Sequence, residues 1–304
     1  MVLNKIGLTG ATGMLGRHIR SALENEGAYV ISTSSKNLKK DKILKWDLTD
    51  WLSYEELDLL FHGVQAVIHV GAIVPHTTNI INECAIYDAN VRACLNLGYW
   101  ASERNVPVVY VSGAIVYKNQ NDELHDENSE RGWNDLGGYY GFSKLLGESV
   151  LTSLCSKELK LSVVRPSSIY GSGLREDKMI TSFLTMAIND EVIELSPPVE
   201  DKIDFIHALD VSNAILQILK TESWDSFNIS SGTLLSVKEL AEACVEVAGC
   251  GSILINEIKS LPRKPIKRFS LNSRKARDSL DWEPVLNIKQ GLNMMIHKTV
   301  SEIN

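Results

Sequence analysis

What the chain lacks narrows its identity first. No two of its five cysteines (Cys84, Cys94, Cys155, Cys244, Cys250) form a Cys-x-x-Cys pair, and the number is odd. Neither a disulfide framework nor a zinc site is therefore expected, and no other metal site is expected. The cysteines read as small buried apolar residues in a reducing compartment. No apolar run approaches the roughly 20 residues of a membrane span, so no membrane partner is expected. The opening MVLNKIGLTG reads as a strand entering a turn rather than a signal peptide, and a cytoplasmic location is the expectation. Positive charge is also in deficit: 31 Lys and Arg stand against 38 Asp and Glu, a net charge of −7. This argues against the concentrated basic face that a nucleic-acid partner requires. The one basic cluster, Arg263, Lys264, Lys267, Arg268, Arg274, Lys275 and Arg277, reads either as a solvated loop and helix face or as an anion site for a substrate phosphate.

What is present is a soluble enzyme-sized chain of 304 residues, 44% hydrophobic and 23% charged. Through its first two-thirds, short apolar runs alternate with amphipathic segments. Strands are expected at Lys5–Thr9, Tyr29–Thr33, Ala66–Val70, Val108–Ser112 and Ser162–Arg165, and helices at Met14–Asn25, Ser53–Phe61, Ile80–Arg104 and Tyr139–Ser156. Strict alternation of this kind implies an α/β fold: a Rossmann-type, doubly wound parallel sheet with helices on both faces. The last third is less regular. Helices expected at Leu209–Lys220, Val237–Val247 and Ile288–Ser301 are separated by short strands, and Pro197, Pro198, Pro262 and Pro265 punctuate the region. Residues 1–166 read as a dinucleotide-binding domain, and 167–304 mainly as a smaller C-terminal substrate-binding lobe with crossovers back to the sheet. The polar stretch Asn119–Asn134 reads as a surface loop, and its acidic tract from Asp122 to Glu127 as solvated.

Thr9-Gly10-Ala11-Thr12-Gly13-Met14-Leu15-Gly16 follows the first strand and opens the first helix, the context of a dinucleotide-binding turn. Gly10 permits the sharp turn. Gly13 lets backbone N–H groups approach a pyrophosphate at the helix N-terminus, where the dipole favours an anion. Gly16 brings the helix close to the sheet. An acidic residue about 20 positions further on binds the ribose 2′-hydroxyl in NAD-selective sites. The segment from Ala28 to Lys40 contains none and offers Ser34, Ser35 and Lys36, with Arg17 in sequence reach. Hydroxyls and cations suit a 2′-phosphate, so NADP is expected in preference to NAD.

Tyr140 and Lys144 stand four apart in a helical pattern and so share a helix face. A cation beside a phenol favours phenolate and lowers its pKa. The pair suits proton exchange at a carbonyl or carbinol oxygen while a nicotinamide exchanges hydride.

TGATGMLG with YxxxK resembles the extended short-chain dehydrogenase/reductase family, its NAD-dependent epimerase/dehydratase group. Further segments agree along essentially the whole chain: Asp47-Leu48 after the third strand, His69-Val70-Gly71-Ala72 after the fourth, and Asn90-Val91 in the next helix. Arg165-Pro166-Ser167-Ser168-Ile169-Tyr170-Gly171 resembles the segment beside the nicotinamide. Asp204-Phe205-Ile206-His207, Asp210-Val211, Phe227-Asn228-Ile229 and Leu280-Asp281-Trp282-Glu283-Pro284 resemble markers of the second lobe. The resemblance implies cofactor contacts from Gly10, Thr12, Gly13, Met14, Leu15, Gly16, Asp47, Leu48, Val70, Gly71, Ala72, Asn90, Tyr140, Lys144, Pro166 and Ser168. It also implies a nucleotide-linked sugar as substrate, and a homodimer built on the face carrying the Tyr140 helix and the helix before it.

Three departures refine the expectation. The family's catalytic Ser/Thr falls at Gly113, so either Ser112, one residue earlier, serves as the third catalytic group, or another donor or water does. Dehydratase members carry an Asp-Glu pair where this chain has Ala114-Ile115, which disfavours 4,6-dehydration. Epimerases often place a pyrophosphate-binding Arg where Ile203 stands. The expected function is hydride transfer on a nucleotide-linked sugar, as a 4-ketoreductase or 4-epimerase. The rivals are a reductase of another small carbonyl compound and a non-catalytic NAD(P) sensor. His76 and Trp133 are lesser candidates, each with a plain reading as a loop histidine or a surface-packed aromatic.

Overall fold

The computed structural model describes residues 2–36, 42–75, 82–118, 123–134, 137–256 and 268–303. In chain order the first half comprises β1 (Lys5–Thr9), α1 (Met14–Asn25), β2 (Tyr29–Ser34), β3 (Ile43–Lys45), α2 (Tyr54–Leu60), β4 (Ala66–His69), α3 (Glu83–Tyr87), α4 (Ala93–Arg104), β5 (Val108–Val111), β6 (Glu123–His125) and α5 (Gly138–Ser153). The second half comprises β7 (Leu161–Pro166), β8 (Ser168–Tyr170), α6 (Met179–Ile188), β9 (Val192–Leu195), β10 (Lys202–His207), α7 (Ala208–Thr221), β11 (Ser226–Ile229), β12 (Leu234–Ser236), α8 (Val237–Ala248), β13 (Ser252–Ile255), β14 (Arg268–Leu271), α9 (Arg274–Leu280) and α10 (Ile288–Ile303).

Seven strands form one parallel sheet in the order β11-β7-β5-β4-β1-β2-β3. The strand order reverses between β1 and β4, which opens the crevice where such sheets bind ligands. Strands β1, β4, β5, β7 and β11 are buried on both faces, so alternate residues enter opposite cores. Ile6, Leu8, Ile68 and Val109 pack under α1, α7 and α9 with Leu15, Ile19, Val211, Ile215 and Leu280. Val67, Val108 and Tyr110 pack under α2, α4 and α5 with Leu57, Leu97, Trp100 and Leu151. Helices α4 and α5 thus share one face, and they pack closely: a Cβ on Gly98 would lie 2.8 Å from Leu151 Cδ2.

The second lobe is a separate apolar core of α6, α8 and α10 over β9 and β13, with Leu184, Ile193, Leu240, Cys244 and Leu292 at its centre. Before it closes, the chain crosses back: β11 pairs with β7 as the last strand of the main sheet. Helix α8 starts at a capping box, Ser236 with Glu239. Buried carboxylates pin the crossovers. Asp204 on β10 accepts hydrogen bonds from Ser167 Oγ, the Ser231 N–H and the Gly232 N–H, at 2.9, 3.0 and 2.8 Å. Asp210 on α7 accepts from the backbone N–H groups of Val285 and Leu286.

Two sequence expectations change. The stretch up to Asn134 is not all surface loop. Strand β6 lies within it and pairs with β14, and His125 is buried against Tyr117, ring on ring at 4.9 Å. Its pairing partner lies about 145 residues downstream, so no local pattern exposes the strand. Nor are the cysteines uniformly buried: Cys94 and Cys244 are, but Cys84 and Cys155 are exposed.

Candidate active site

At the end of β1 the chain turns through Gly10, which holds a left-handed φ of +67°. A Cβ there would sit 2.6 Å from the Gly71 Cα, and one on Gly13 would lie 3.3 Å from the Gly10 carbonyl oxygen. One on Gly16 would collide with that same oxygen. Gly16 therefore protects the turn itself, a closer constraint than helix-to-sheet distance. Thr9 locks this turn to the one after β4. Its hydroxyl oxygen accepts from the N–H groups of Val70 and Gly71, at 3.2 and 3.1 Å, and contacts His69 Nδ1 at 2.8 Å. With both acceptor sites used, the Thr9 proton goes to Nδ1, so His69 carries its own proton on Nε2. Burial, aided by the charge of Lys144, lowers the His69 pKa to about 3, which keeps the ring neutral.

A cleft of about 390 Å³ runs from this turn across the strand ends. It gathers Gly10, Thr12, Gly13, Met14, Leu15, Gly16, Ser34, Ser35, Asp47, Leu48, Val70, Gly71, Ala72, Ser112, Tyr140 and Lys144, all singled out from sequence. Trp46, Ile73, Val74, Ala89, Val111 and Ile169 line it too. Ile169 belongs to the segment the sequence resemblance places beside the nicotinamide; sequence reasoning missed the other five, and for Ile73 and Val74 the signal was their position directly after His69-Val70-Gly71-Ala72. The glycines leave a cradle that any Cβ would fill, beside the N-terminus of α1, and this fits a dinucleotide pyrophosphate. Ser34 Oγ donates to the Lys36 carbonyl at 2.7 Å, while Ser35 and Lys36 are exposed. Asp47 keeps one oxygen on Thr49 and lines the cleft with the rest of its side chain.

Four other predicted contacts lie elsewhere. Lys36 is outside the lining, just past Ser35. Asn90 is buried in a widened helical turn, Asp88–Arg92. Its side chain holds the N–H and C=O of Ile73, at 2.8 and 3.1 Å, and donates to Ser143 Oγ at 2.9 Å. It thereby fastens the cleft wall to α5. Pro166 and Ser168 line a second cavity of about 260 Å³. Ser112, Tyr140 and Ile169 border both cavities, so the phenol stands where the two meet.

The i, i+4 spacing places Lys144 one turn below Tyr140 on α5. Lys144 is 2% exposed, and its Nζ lies 4.2 Å from the centre of the Tyr110 ring, within cation–π range. Burial lowers its pKa to about 8. Burial likewise raises the Tyr140 phenol to about 12, which reverses the expectation of a phenol activated by its lysine. Withdrawal of solvent alone sets the direction of the shift, and the resting phenol is protonated. The backbone N–H of Ser112 donates to the Val164 carbonyl at 2.8 Å, which fixes the residue at the end of β5. Its buried hydroxyl has no partner among the described residues. Gly113 follows with extended backbone, φ 176°, and the nearest atom to a Cβ there would be 3.8 Å away.

Below the pair lies a polar network that the sequence did not reveal. Glu148, one further turn down α5, receives two hydrogen bonds from Arg165 at 2.9 Å each and one from Arg131 at 3.0 Å. Both Glu148 and Arg165 side chains are 1% exposed. Arg165 also donates to the Tyr117 hydroxyl at 3.2 Å, and that hydroxyl donates to Asn228 at 2.6 Å. The available signal was the i, i+4 continuation from Lys144 to Glu148. Trp133 is exposed and packs edge-on against Phe142, outside both cavities. His76, Asp122, Arg263, Lys264 and Lys267 lie outside the described residues, as does the side chain of Arg268. Among the described residues no cluster of His, Cys, Asp or Glu could hold a metal, and no helix is long and apolar enough to cross a membrane.

A glycine-turn cleft at the switch point of a parallel sheet, ending on a partly buried Tyr140 and a buried Lys144, defines an NAD(P)-dependent enzyme of the extended short-chain dehydrogenase/reductase type. Comparison gives the family: the model for the NAD dependent epimerase/dehydratase family matches residues 6–230, and the chain belongs to that family. It is similar to a UDP-glucuronate 4-epimerase of Thermodesulfobacterium geofontis, 23% identical over 95% of this chain and 94% of the relative. It is also similar to a dTDP-4-dehydro-6-deoxy-D-allose reductase of Streptomyces bikiniensis, 26% identical over 91% and 90%. Among solved structures, MoeE5 in complex with UDP-glucose and NAD superposes with a TM-score of 0.82 at 22% identity, covering 99% of this chain and all of the other.

Proposed function

We propose that the protein carries out hydride transfer at a sugar carbon of a nucleotide-linked sugar, as a 4-ketoreductase or 4-epimerase. The observation that carries this reading is the position of Tyr140 and Ser112 on the shared border of the two cavities. An oxygen held there contacts a proton donor while its carbon faces the dinucleotide cleft. A nicotinamide bound at that end supplies or accepts the hydride. The chain's own residues manage the proton. Tyr140, protonated at rest, gives its proton to the carbonyl oxygen as negative charge develops there, and takes it back in the reverse direction. Lys144 opposes the charge left on the phenolate, which no longer has solvent to stabilise it. The partnerless Ser112 hydroxyl donates to the same oxygen, in place of the hydroxyl that Gly113 lacks. Gly10, Thr12, Gly13, Met14, Leu15 and Gly16 hold the pyrophosphate; Asp47, Leu48, Val70, Gly71 and Ala72 line the adenosine half.

Ala114 and Ile115 bring no carboxylate to the substrate cavity, which argues against 4,6-dehydration. The lack of an acid at the end of β2, with Ser35 and Lys36 exposed there, favours NADP over NAD and a reductase that exchanges free cofactor. Residues 167–304 serve mainly to bind substrate. The shared outer face of α4 and α5 is where we place a homodimer contact, and the cytoplasm is the proposed location. Incubation with NADPH or NADH and a panel of 4-keto nucleotide sugars tests the reading by absorbance of the reduced nicotinamide. Oxidation with at least one sugar, faster with NADPH and abolished by Tyr140→Phe at unchanged cofactor affinity, is expected. A second reading, reduction of another small carbonyl compound, is favoured by Ile203 alone. It replaces the first if UDP, dTDP, GDP and CDP all fail to bind at millimolar concentration.

A further inference from the structure

The dinucleotide cleft has two lips, and one segment of the second lobe touches both. Residues 171–177 run from the end of β8 towards α6. On one side they meet α1, the helix that opens at the glycine turn. The Ser172 carbonyl faces His18 Nε2 at 3.3 Å, and a Cβ on Gly171 would lie 3.2 Å from the same nitrogen. On the other side, Arg175 reaches the chain that leaves β4. Its Nη1 donates to the carbonyls of Val74 and Pro75 at 3.4 and 3.2 Å, and its Nη2 to that of Pro75 at 3.3 Å. Asp177 fixes the plane of the guanidinium, accepting from Nε at 3.0 Å and from Nη2 at 2.9 Å. Leu174 roots the segment in the core of the second lobe.

The wall of the cleft is thus held in two different ways. Ile73 is fastened from within the first lobe by Asn90, which is 1% exposed. Val74, which lines the cleft, and Pro75 after it are held at their carbonyls from the second lobe. A dinucleotide in this cleft lies between the glycine turn and Val74, and residues 171–177 tie the one side to the other. We propose that Arg175 is a positioning residue for the cofactor. It clasps the Val74–Pro75 lip to the second lobe, and its release sets how fast the bound dinucleotide leaves. The guanidinium supplies geometry, since its planar fork meets a carboxylate and two carbonyls at once. Its exposure supplies reversibility. The Arg175 and Asp177 side chains are 26% and 27% exposed, so water competes for the pair and the hold is modest. A contact of this strength keeps the wall in place while cofactor is bound and gives way on the time scale of turnover, where release steps often set the rate.

Stopped flow reads the release directly. Protein loaded with NADPH, or with NADH if that binds better, is mixed with excess oxidised nucleotide, and the loss of nicotinamide fluorescence is followed. Arg175→Met keeps the stem and removes the bonds to both carbonyls. Its dissociation rate is expected to rise about tenfold, with association within about twofold of wild type. Asp177→Asn loosens the guanidinium plane but leaves the carbonyl bonds, and a rise of about threefold is expected. Arg274→Met, which removes an exposed ion pair with Asp278 on α9, is expected to change neither rate. Urea midpoints report the fold of each variant. An unchanged dissociation rate in Arg175→Met at a wild-type midpoint overturns the proposal, as does an equal rise in Arg274→Met. A fall in association as large as the rise in dissociation marks a distorted cleft and overturns it too. If Arg175→Met melts early, Asp177→Asn decides: faster release at a wild-type midpoint supports the clasp, and unchanged release overturns it. If neither NADPH nor NADH binds, the cofactor reading of the cleft falls and the clasp falls with it.

Discussion

Replacing Lys144 by methionine separates what the buried cation contributes to chemistry from what it costs the fold. Lys144 has a pKa of about 8 in the folded protein against 10.5 for an unburied lysine. The difference of about 2.5 units corresponds to about 3 kcal/mol of unfavourable burial of charge. The Tyr110 face, 4.2 Å from Nζ, returns an attraction of about 2 kcal/mol when desolvated, so the net penalty at pH 7 is about 1 kcal/mol. The sign follows from proton binding: between pH 8 and 10.5 the unfolded chain binds the extra proton, and wild-type stability gains with rising pH in that window. Below pH 8 the penalty is fully present, and above 10.5 it is gone. Lys144→Met keeps the apolar stem and removes the charge. Urea denaturation without added cofactor is therefore expected to find the variant about 1 kcal/mol more stable than wild type at pH 7. The gap should close by about pH 10.5, and turnover should be lost at every pH. A variant less stable than wild type at pH 7, or a gap that does not shrink as pH rises, refutes the argument that the lysine is retained against the interest of the fold.

Other outcomes follow from single contacts. Ser112→Ala should lower kcat by roughly 100-fold, the scale of one lost donor to a developing oxyanion. Gly113→Ser, whose new Cβ meets nothing nearer than 3.8 Å, should restore part of that loss in steady-state assays; no recovery would argue against a hydroxyl at this strand end. Gly10→Ala must place a side chain at φ +67° against the Gly71 backbone. It should destabilise by more than about 2 kcal/mol and abolish cofactor binding as read by fluorescence titration. Glu148→Ala strands a buried guanidinium and should cost about 3–5 kcal/mol in urea melts, whereas Glu148→Leu with Arg165→Met should recover most of it.

How much of this was legible in the sequence depended on the range of the interaction. The Rossmann half was readable because each strand, turn and helix is specified by neighbours in the chain. Lys5–Thr9 and Met14–Asn25 agree residue for residue with the sequence expectation, and the cleft collects most of the predicted cofactor contacts. The parts that escaped depend on distant partners. Strand β6 exists because β14 pairs with it, and helix α6 is defined by the core it shares with α8. The direction of the Tyr140 shift escaped for a different reason. Spacing shows that a cation is near the phenol, but only the fold shows how little solvent reaches either group. Asn90 is intermediate: the family motif singled it out, but its three hydrogen bonds show that it braces the cleft wall.

The buried polar network gives the Tyr-Lys pair its rigidity. Tyr140, Lys144 and Glu148 descend one face of α5 at i, i+4 and i+8, and only the lowest of them is fully paired. Arg165 grips Glu148 with two parallel bonds from β7, and Asn90 grips Ser143 from the turn before α4. The helix is therefore fixed on two sides below and beside the reacting phenol, while the phenol and the lysine keep their polar ends uncommitted. A helix held this way cannot relax to give either group a protein partner, and reorganisation at the moment of proton transfer stays small. The same anchoring joins the catalytic helix to β11 through Tyr117 and Asn228, so a substitution at Asn228, outside both cavities, should alter kcat more than KM. Asn228→Ala is expected to lower kcat severalfold at near-constant KM; a change confined to KM would mean that the network serves the substrate lobe and not the phenol.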